Sequence, residues 1–187
     1  MKTLQVKELM IPISEYASVH EDANITEAMQ AIESKNKSYG ESPYRHHSLV
    51  VINDNNHVVG RLSQVDIMRA MEPRYDKLED AHWVSRSELS KDMLVTLRES
   101  FMLWEEPWEV MCKGLGNMKV KDYMQEPTEG ELVSENDTCN IACHRIVMGR
   151  HHSLLVTRDK EIIGILRSTD LFNNLYDLMV KGNCLEP

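Results

Sequence analysis

The residues best suited to binding chemistry are two histidine pairs, each preceded by an arginine. The same four-residue sequence occurs twice, as Arg45-His46-His47-Ser48 and as Arg150-His151-His152-Ser153. Guanidinium and protonated imidazole groups bind anions, and imidazole also favours zinc, copper or nickel. Neighbouring residues of a strand point to opposite sides, so we expect neither pair to chelate one ion. No cysteine or carboxylate cluster completes a metal site, and the sequence predicts none.

Two aspartates form the second set of candidates. Each follows the pattern Gly-x-Leu-x-x-x-Asp, read as Gly60-Arg61-Leu62-Ser63-Gln64-Val65-Asp66 and as Gly164-Ile165-Leu166-Arg167-Ser168-Thr169-Asp170. An Asp just after a strand is favoured as a helix cap, and a cap role does not exclude a ligand role. Because the histidine and aspartate motifs recur in the same order, the sequence indicates an internal duplication.

Both copies predict the same series of elements: helix, strand, helix, strand, strand, helix. In the first copy the predicted bounds are 6–10, 18–20, 26–35, 48–52, 58–62 and 64–71. In the second they are 120–124, 132–134, 137–148, 153–157, 162–166 and 168–178. The strand pairs are nearly continuous apolar runs, typical of strands covered on both faces. A unit of roughly 60 residues is small for an independent core, so we expect the two to pack together.

We divide the chain into a first repeat at 1–71, a helical linker at 72–119 and a second repeat at 120–182. The first repeat carries an insertion around 35–43, where turn-forming residues cluster. In the linker, residues 89–105 predict an amphipathic helix, and Pro107 is expected to restart it. Its apolar stripe consists of Met93, Leu97, Phe101, Trp104 and Trp108. The tryptophans form either an aromatic ligand box or a packing surface, and packing is favoured.

Composition narrows the functional classes. The net charge of −9 argues against nucleic acid as a partner. No apolar run approaches the roughly 18 residues of a membrane span, and the N-terminus lacks the apolar core of a signal peptide. The four cysteines show no CxxC spacing, so reduced thiols and a cytoplasmic location are expected. Without a nucleophile elbow, Walker loop or HExxH motif, the sequence predicts no enzyme.

Val-Lys-x-x-Met, the buried strand pair and Gly-x-Leu-x-x-x-Asp, present twice in order, resemble the CBS domain, named after cystathionine β-synthase. The resemblance covers residues 6–71 and 120–178. It implies an α/β (α+β) fold, in which two repeats pack sheet to sheet about a pseudo-twofold axis as a Bateman module, with two clefts between them. It also implies a regulatory protein that forms a homodimer and acts on an effector protein in trans. No cofactor is required; the implied ligands are AMP, ADP, ATP or S-adenosylmethionine. The alternative is a structural dimerisation module with vestigial clefts.

The resemblance also assigns roles to residues. Asp66 and Asp170 stand where the family binds ribose, and a carboxylate can accept hydrogen bonds from both ribose hydroxyls. Ser63 matches the start of the Ser/Thr-x-x-Asp signature, but Arg167 replaces it in the second copy. Either the second site is degenerate or Arg167 reaches a phosphate through its bidentate fork.

Histidines and arginines complete the implied site. His47 and His152 stand at a phosphate-contacting position of the family, or they are rim histidines with no ligand. Serine replaces the arginine that usually follows, and Arg45 and Arg150 are its nearest substitutes. The implied nucleotide-binding set is Arg45, His47, Ser63, Asp66, Arg150, His152, Arg167, Thr169 and Asp170. Because Ser63 and Asp66 keep the fuller signature, we expect their cleft to bind at least as well as that of Asp170.

Overall fold

The computed structural model describes residues 4–38, 46–79 and 90–181. The first repeat contains β1 (Ile11–Pro12), β2 (Ser18–His20), α1 (Ile25–Ser38), β3 (Ser48–Ile52), β4 (Val58–Ser63) and α2 (Gln64–Met71). The linker contains α3 (Asp76–Glu79), α4 (Lys91–Ser100) and α5 (Trp108–Gly114). The second repeat contains β5 (Leu132–Ser134), α6 (Cys139–Gly149), β6 (Ser153–Arg158), β7 (Glu161–Arg167) and α7 (Ser168–Lys181).

Two small sheets carry the repeats. One has the strand order β2-β3-β4 and the other β1-β7-β6-β5. In each repeat the short strand pairs in parallel with the first long strand, and the two long strands form an antiparallel hairpin. The hairpins share a register shift at equivalent positions, between Val51 and Ile52 and between Val156 and Thr157. The duplication seen in the sequence therefore extends to the detail of strand pairing.

Most predicted elements agree with the structure, and two kinds of boundary were wrong. The helices expected at 6–10 and 120–124 are single 3₁₀ turns, Val6–Glu8 and Val120–Asp122. The helix expected at 89–105 is α4, which ends at Ser100. Met102 and Trp104 have φ angles of 50° and 60°, a left-handed backbone that cannot continue a right-handed helix. Trp104 therefore leaves the predicted stripe, and α5 begins after Pro107 as expected.

Each hydrophobic core takes one segment from the other repeat. Val6, at the start of the chain, is fully buried among Val133, Leu154 and Leu166 of the second repeat. Reciprocally, Val120 packs into the core of the first repeat, in the cluster that contains Ile25 and Leu49. The repeats are consequently interlocked, while the boundaries at 71/72 and 119/120 stay a prediction for the domains.

Backbone hydrogen bonds hold each exchanged segment in the same way. Val6 donates its N–H to the carbonyl of Asp137 at 3.0 Å, and Val120 donates to the carbonyl of Ala23 at 2.8 Å. Beyond each 3₁₀ turn a methionine lies against a strand glycine of the other repeat. A Cβ at Gly60 would lie 2.6 Å from the sulfur of Met124, and one at Gly164 would lie 2.8 Å from that of Met10. The methionine of Val-Lys-x-x-Met in one repeat therefore contacts the glycine of Gly-x-Leu-x-x-x-Asp in the other.

A third core cluster joins the two sheets face to face. It contains Tyr16 and Val50 from the first repeat, with Leu155 and Ile165 from the second. With the reciprocal segment exchange, this arrangement is the α+β fold with a pseudo-twofold relation that the sequence analysis expects.

A buried carboxylate fastens the linker to the end of α2. Glu72, 1 % exposed, accepts hydrogen bonds from Arg74 Nε at 2.7 Å and from the Trp104 backbone N–H at 2.7 Å. Burial works to raise the pKa of Glu72, but the bonds from Arg74 and Trp104 outweigh it and hold the pKa below its usual value. The Trp104 indole N–H donates to the Tyr75 hydroxyl at 3.0 Å. This tryptophan therefore packs on its own module.

Candidate functional site

The two clefts each combine residues from both repeats. The region around Arg167 and Asp170, where β7 meets α7, is the Asp170 cleft. Tyr16 of the first repeat packs in one cluster with Ile165 of β7, and the charges of Arg167 and Asp170 affect the pKa values of Tyr16 and His46. The Asp66 cleft lies on the other side. There the Gln125 side chain of the second repeat reaches Asp66, and Glu131 pairs with Arg61 and lies near His151. Residues of both repeats therefore meet on this side.

In the Asp66 cleft, the aspartate closes a capping box at the start of α2. Its Oδ2 accepts from the Ser63 N–H at 2.8 Å and from the Ser63 hydroxyl at 2.5 Å. Its Oδ1 accepts from the Gln125 side-chain amide at 3.3 Å. Both carboxylate oxygens therefore have partners within the chain, as a helix-capping role requires.

In the Asp170 cleft, the aspartate is paired with Arg167. Asp170 accepts from Arg167 Nε at 2.8 Å and from Nη2 at 2.6 Å, a bidentate arrangement. The Arg167 backbone N–H adds a third bond at 3.2 Å. Arg167 therefore donates to this aspartate from its side chain and its backbone, as Ser63 does to Asp66 in the first repeat.

The adjacent histidines have different surroundings. His46 is fully buried, and its ring lies edge-on to Tyr16 with 4.5 Å between ring centroids. His47 is exposed and lies 3.3 Å from the Gln64 side-chain oxygen, at the start of α2. In this pair one ring therefore faces inward and the other outward, as expected for adjacent residues of an extended segment.

The second copy of this motif is similar. His151 is half-buried, with its Nδ1 3.9 Å from a carboxylate oxygen of Glu131. His152, Arg150 and Thr169 are exposed, and Arg150 ends α6 with a left-handed φ of 51°. Arg45, the remaining member of the predicted set, lies outside the described residues.

Burial keeps the inner residues of the Asp170 cleft uncharged. Burial lowers the pKa of His46 to about 4, and the nearby charges of Arg167 and Lys35 add to the effect. Burial likewise raises the pKa of the Tyr16 hydroxyl, which lies 3.1 Å from the Ser48 hydroxyl. His46 is therefore neutral at pH 7, and attraction for an anion has to come from lysine and arginine.

A pocket of about 420 Å³ opens beside Tyr16. Its lining combines the segment before β2 with one face of α1: Tyr16, Ala17, Ser18, Ala31, Ser34, Lys35 and Ser38. Lys35 and three serine hydroxyls supply its polar groups, and Tyr16, Ala17 and Ala31 add apolar atoms. Its volume falls within the range of about 300–1,000 Å³ found for small-molecule sites.

Comparison with known proteins decides the family. The sequence profile of the CBS domain matches residues 6–73 and 120–177. The chain belongs to the CBS domain family. No curated protein sequence matches it.

Solved structures of CBS proteins share the fold at low sequence identity. CBSX2 from Arabidopsis thaliana is 16% identical, with a TM-score of 0.62 over 95% of this chain and 97% of that one. A CBSX2 structure in complex with AMP is 17% identical, with a TM-score of 0.58 over 94% and 98%. A CBS domain-containing protein of unknown function from Bacillus anthracis is 15% identical, with a TM-score of 0.62 over 93% and 94%.

Several cleft residues of this CBS pair were not singled out from the sequence. Tyr16 and Lys35 line the pocket, and Arg61 and Glu131 pair between the repeats at the Asp66 cleft. No local motif marks these four residues. One available signal was the difference between the copies, which carry Ala17 and Glu131 at equivalent positions before β2 and β5.

In the three described ranges no group of three His, Cys, Asp or Glu side chains is placed to hold a metal ion. No helix within those ranges has both the length and the apolar character needed to cross a membrane.

Proposed function

We propose that this CBS pair is a non-catalytic regulatory module that binds an adenine nucleotide (AMP, ADP or ATP) or S-adenosylmethionine in the Asp170 cleft. The observation that carries the proposal is the pocket of about 420 Å³ beside Tyr16, with Lys35 in its lining. A related CBS pair, CBSX2, has been solved with AMP.

The pocket offers a partner for each part of such a ligand. Ala17, Ala31 and the Tyr16 ring provide apolar contacts for a planar base. Lys35 provides a positive charge for a phosphate, and in a chain of net charge −9 an anion needs such a local cation. Asp170 supplies carboxylate oxygens for ribose hydroxyls if Arg167 turns from it toward the phosphate. Such a rearrangement would couple ligand binding to a charge network that joins the two repeats.

Regulation also requires a receiver of the signal. A ligand shifts a conformational equilibrium only by its differential affinity for the two states, so the proposal includes a partner protein that distinguishes them. It also includes a homodimer. The supporting observation is an apolar stripe on α7 formed by Phe172, Leu175, Tyr176 and Met179, at helical spacing and between 43% and 67% exposed.

Thermal unfolding with AMP, ADP, ATP, S-adenosylmethionine and NADH tests the ligand. A ligand at 100 times its dissociation constant stabilises the native state by about 2.7 kcal/mol, an easily measured rise in Tm. Lys35→Ala should reduce the shift caused by AMP and leave that caused by adenosine unchanged. Lys37→Ala, an exposed lysine on the same helix that does not line the pocket, is the matched control.

The second candidate function is a structural dimerisation module with vestigial clefts. It is favoured by one observation: the carboxylates of Asp66 and Asp170 both have hydrogen-bond partners within the chain. No change of Tm with any of the five compounds would support this alternative and reject the ligand-binding function.

A further inference from the structure

The internal repeat allows the two clefts to be compared position by position. Strand register makes Arg61 on β4 equivalent to Ile165 on β7, because they pair with Val50 and Leu155. The spacing of the repeats makes Glu131 equivalent to Ala17 and Arg145 equivalent to Ala31. The two alanines line the pocket beside Tyr16. At these three positions the Asp66 cleft carries long charged side chains, whereas the Asp170 cleft carries small or apolar ones.

Glu131 is held inside the Asp66 cleft by its surroundings. Its side chain is 7% exposed, and its carboxylate forms an ion pair with Arg61 from the other repeat. The Thr128 N–H and hydroxyl donate to the same carboxylate at 3.1 Å and 3.0 Å. A buried carboxylate with several donors is costly to displace, since moving it would leave the Arg61 charge without its partner.

Arg145 and His151 add to the filling of this cleft. Arg145 on α6 donates to the backbone carbonyl of Leu132 at the start of β5, so its guanidinium covers the region that Ala31 leaves open in the other cleft. The His151 ring lies directly over Gly149, where a Cβ would be 2.1 Å from its Nε2. Glu131 and Arg145 thus stand at the positions of two alanines that line the pocket beside Tyr16.

We infer that the module binds one nucleotide per chain, in the Asp170 cleft, and that Arg61, Glu131 and Arg145 close the Asp66 cleft to it. This inference rests on the proposed function and adds the number of nucleotides bound and the residues that determine it. From the Ser63–Asp66 signature, the Asp66 cleft was expected to bind at least as well as the Asp170 cleft, and the inference reverses that order. Ser63 and Asp66 serve as a helix cap here, and the side chains of the cleft walls decide whether a nucleotide can enter.

Isothermal titration of the full chain with AMP tests the inference. The wild type should bind one AMP per chain. Ala31→Arg, which places the charged residue of the closed cleft in the open one, should weaken binding at least tenfold. Asp66→Asn should leave the affinity within about twofold. The triple variant Arg61→Ile, Glu131→Ala, Arg145→Ala carries the residues of the open cleft in the closed one and should bind a second AMP.

The outcomes separate this inference from the proposed function. Two AMP sites in the wild type, or a loss of binding through Asp66→Asn but not through Ala31→Arg, would overturn the inference and leave the function standing. If the wild type, titrated in the same way with AMP, ADP, ATP and S-adenosylmethionine, binds none of them, both the inference and the proposed function are overturned. If the triple variant does not fold, the wild-type stoichiometry and the two single variants still decide.

Discussion

At the scale of single residues, His46 has the clearest consequence. Its burial lowers its pKa to about 4, whereas a histidine in the unfolded chain titrates near 6.5. Between these values the unfolded chain binds the extra proton, so the free energy of unfolding falls as the pH falls through this window. We expect a loss of about 2 kcal/mol between pH 7 and pH 5 from this group alone.

Urea unfolding of the wild type and of His46→Leu at pH 7, 6 and 5 measures this effect. The variant removes the titrating ring, so its free energy of unfolding should fall by about 2 kcal/mol less than that of the wild type between pH 7 and pH 5. The charged or titratable groups that act on the His46 ring are Arg167, Lys35, Asp170 and His47. His152→Leu, which removes an exposed ring, should keep the wild-type slope. Parallel slopes for the wild type and His46→Leu would contradict the assignment.

At the scale of elements, the packing of β7 depends on the close approach of Met10 and Ile11 to Gly164. A Cβ at Gly164 would lie 2.8 Å from the Met10 sulfur and 3.0 Å from the Ile11 carbonyl oxygen. The methionine can turn aside, but the carbonyl belongs to β1, which pairs with β7. We therefore expect Gly164→Ala to lower the free energy of unfolding by about 1–3 kcal/mol, the usual cost of overpacking.

Chemical unfolding monitored by circular dichroism measures that change. Gly116→Ala is the control, because a Cβ at Gly116 meets no heavy atom within 4 Å. Its stability should remain near that of the wild type. An equal effect of the two substitutions would show that the contact between Gly164 and the first segment does not limit the packing.

At the scale of the whole molecule, we expect a homodimer through α7. Leu175 lies in the middle of the exposed apolar stripe and is 52% exposed, so its transfer into an interface would remove apolar surface from water. Leu175→Lys should convert the dimer into a monomer, as measured by light scattering coupled to size-exclusion chromatography. Val147→Lys, an equally drastic change at a 73% exposed position of α6, should leave the dimer intact. A wild-type monomer at high micromolar concentration would contradict the prediction.

Local sequence patterns were enough to place most of the elements. The predicted strands at 18–20, 48–52 and 132–134 and the helix at 64–71 have the bounds that the structure shows. Strands of this kind are short apolar runs between turn residues, and such a signal is contained in the segment itself. The α4 boundary was missed because the left-handed turn at Met102 and Trp104 is held by Glu72, about thirty residues earlier in the chain.

The candidate site could be predicted only in part, for a related reason. The sequence identified Asp66 and Asp170 as helix-starting carboxylates, because the capping pattern spans only a few residues. It gave no means of seeing that Arg61 meets Glu131, seventy positions away, or that Tyr16 packs on His46. These contacts arise where the two repeats face each other.

By itself, the sequence determined that there are two repeats, what elements each contains and to which family they belong, since duplication and periodicity are written along the chain. Only the tertiary structure decided that Val6 and Val120 exchange places between the cores and that the two clefts differ. The physical reason is that cleft walls are built from residues far apart in sequence. Ala17 lines a pocket together with α1, whereas Glu131 at the equivalent position pairs with Arg61 of the other repeat.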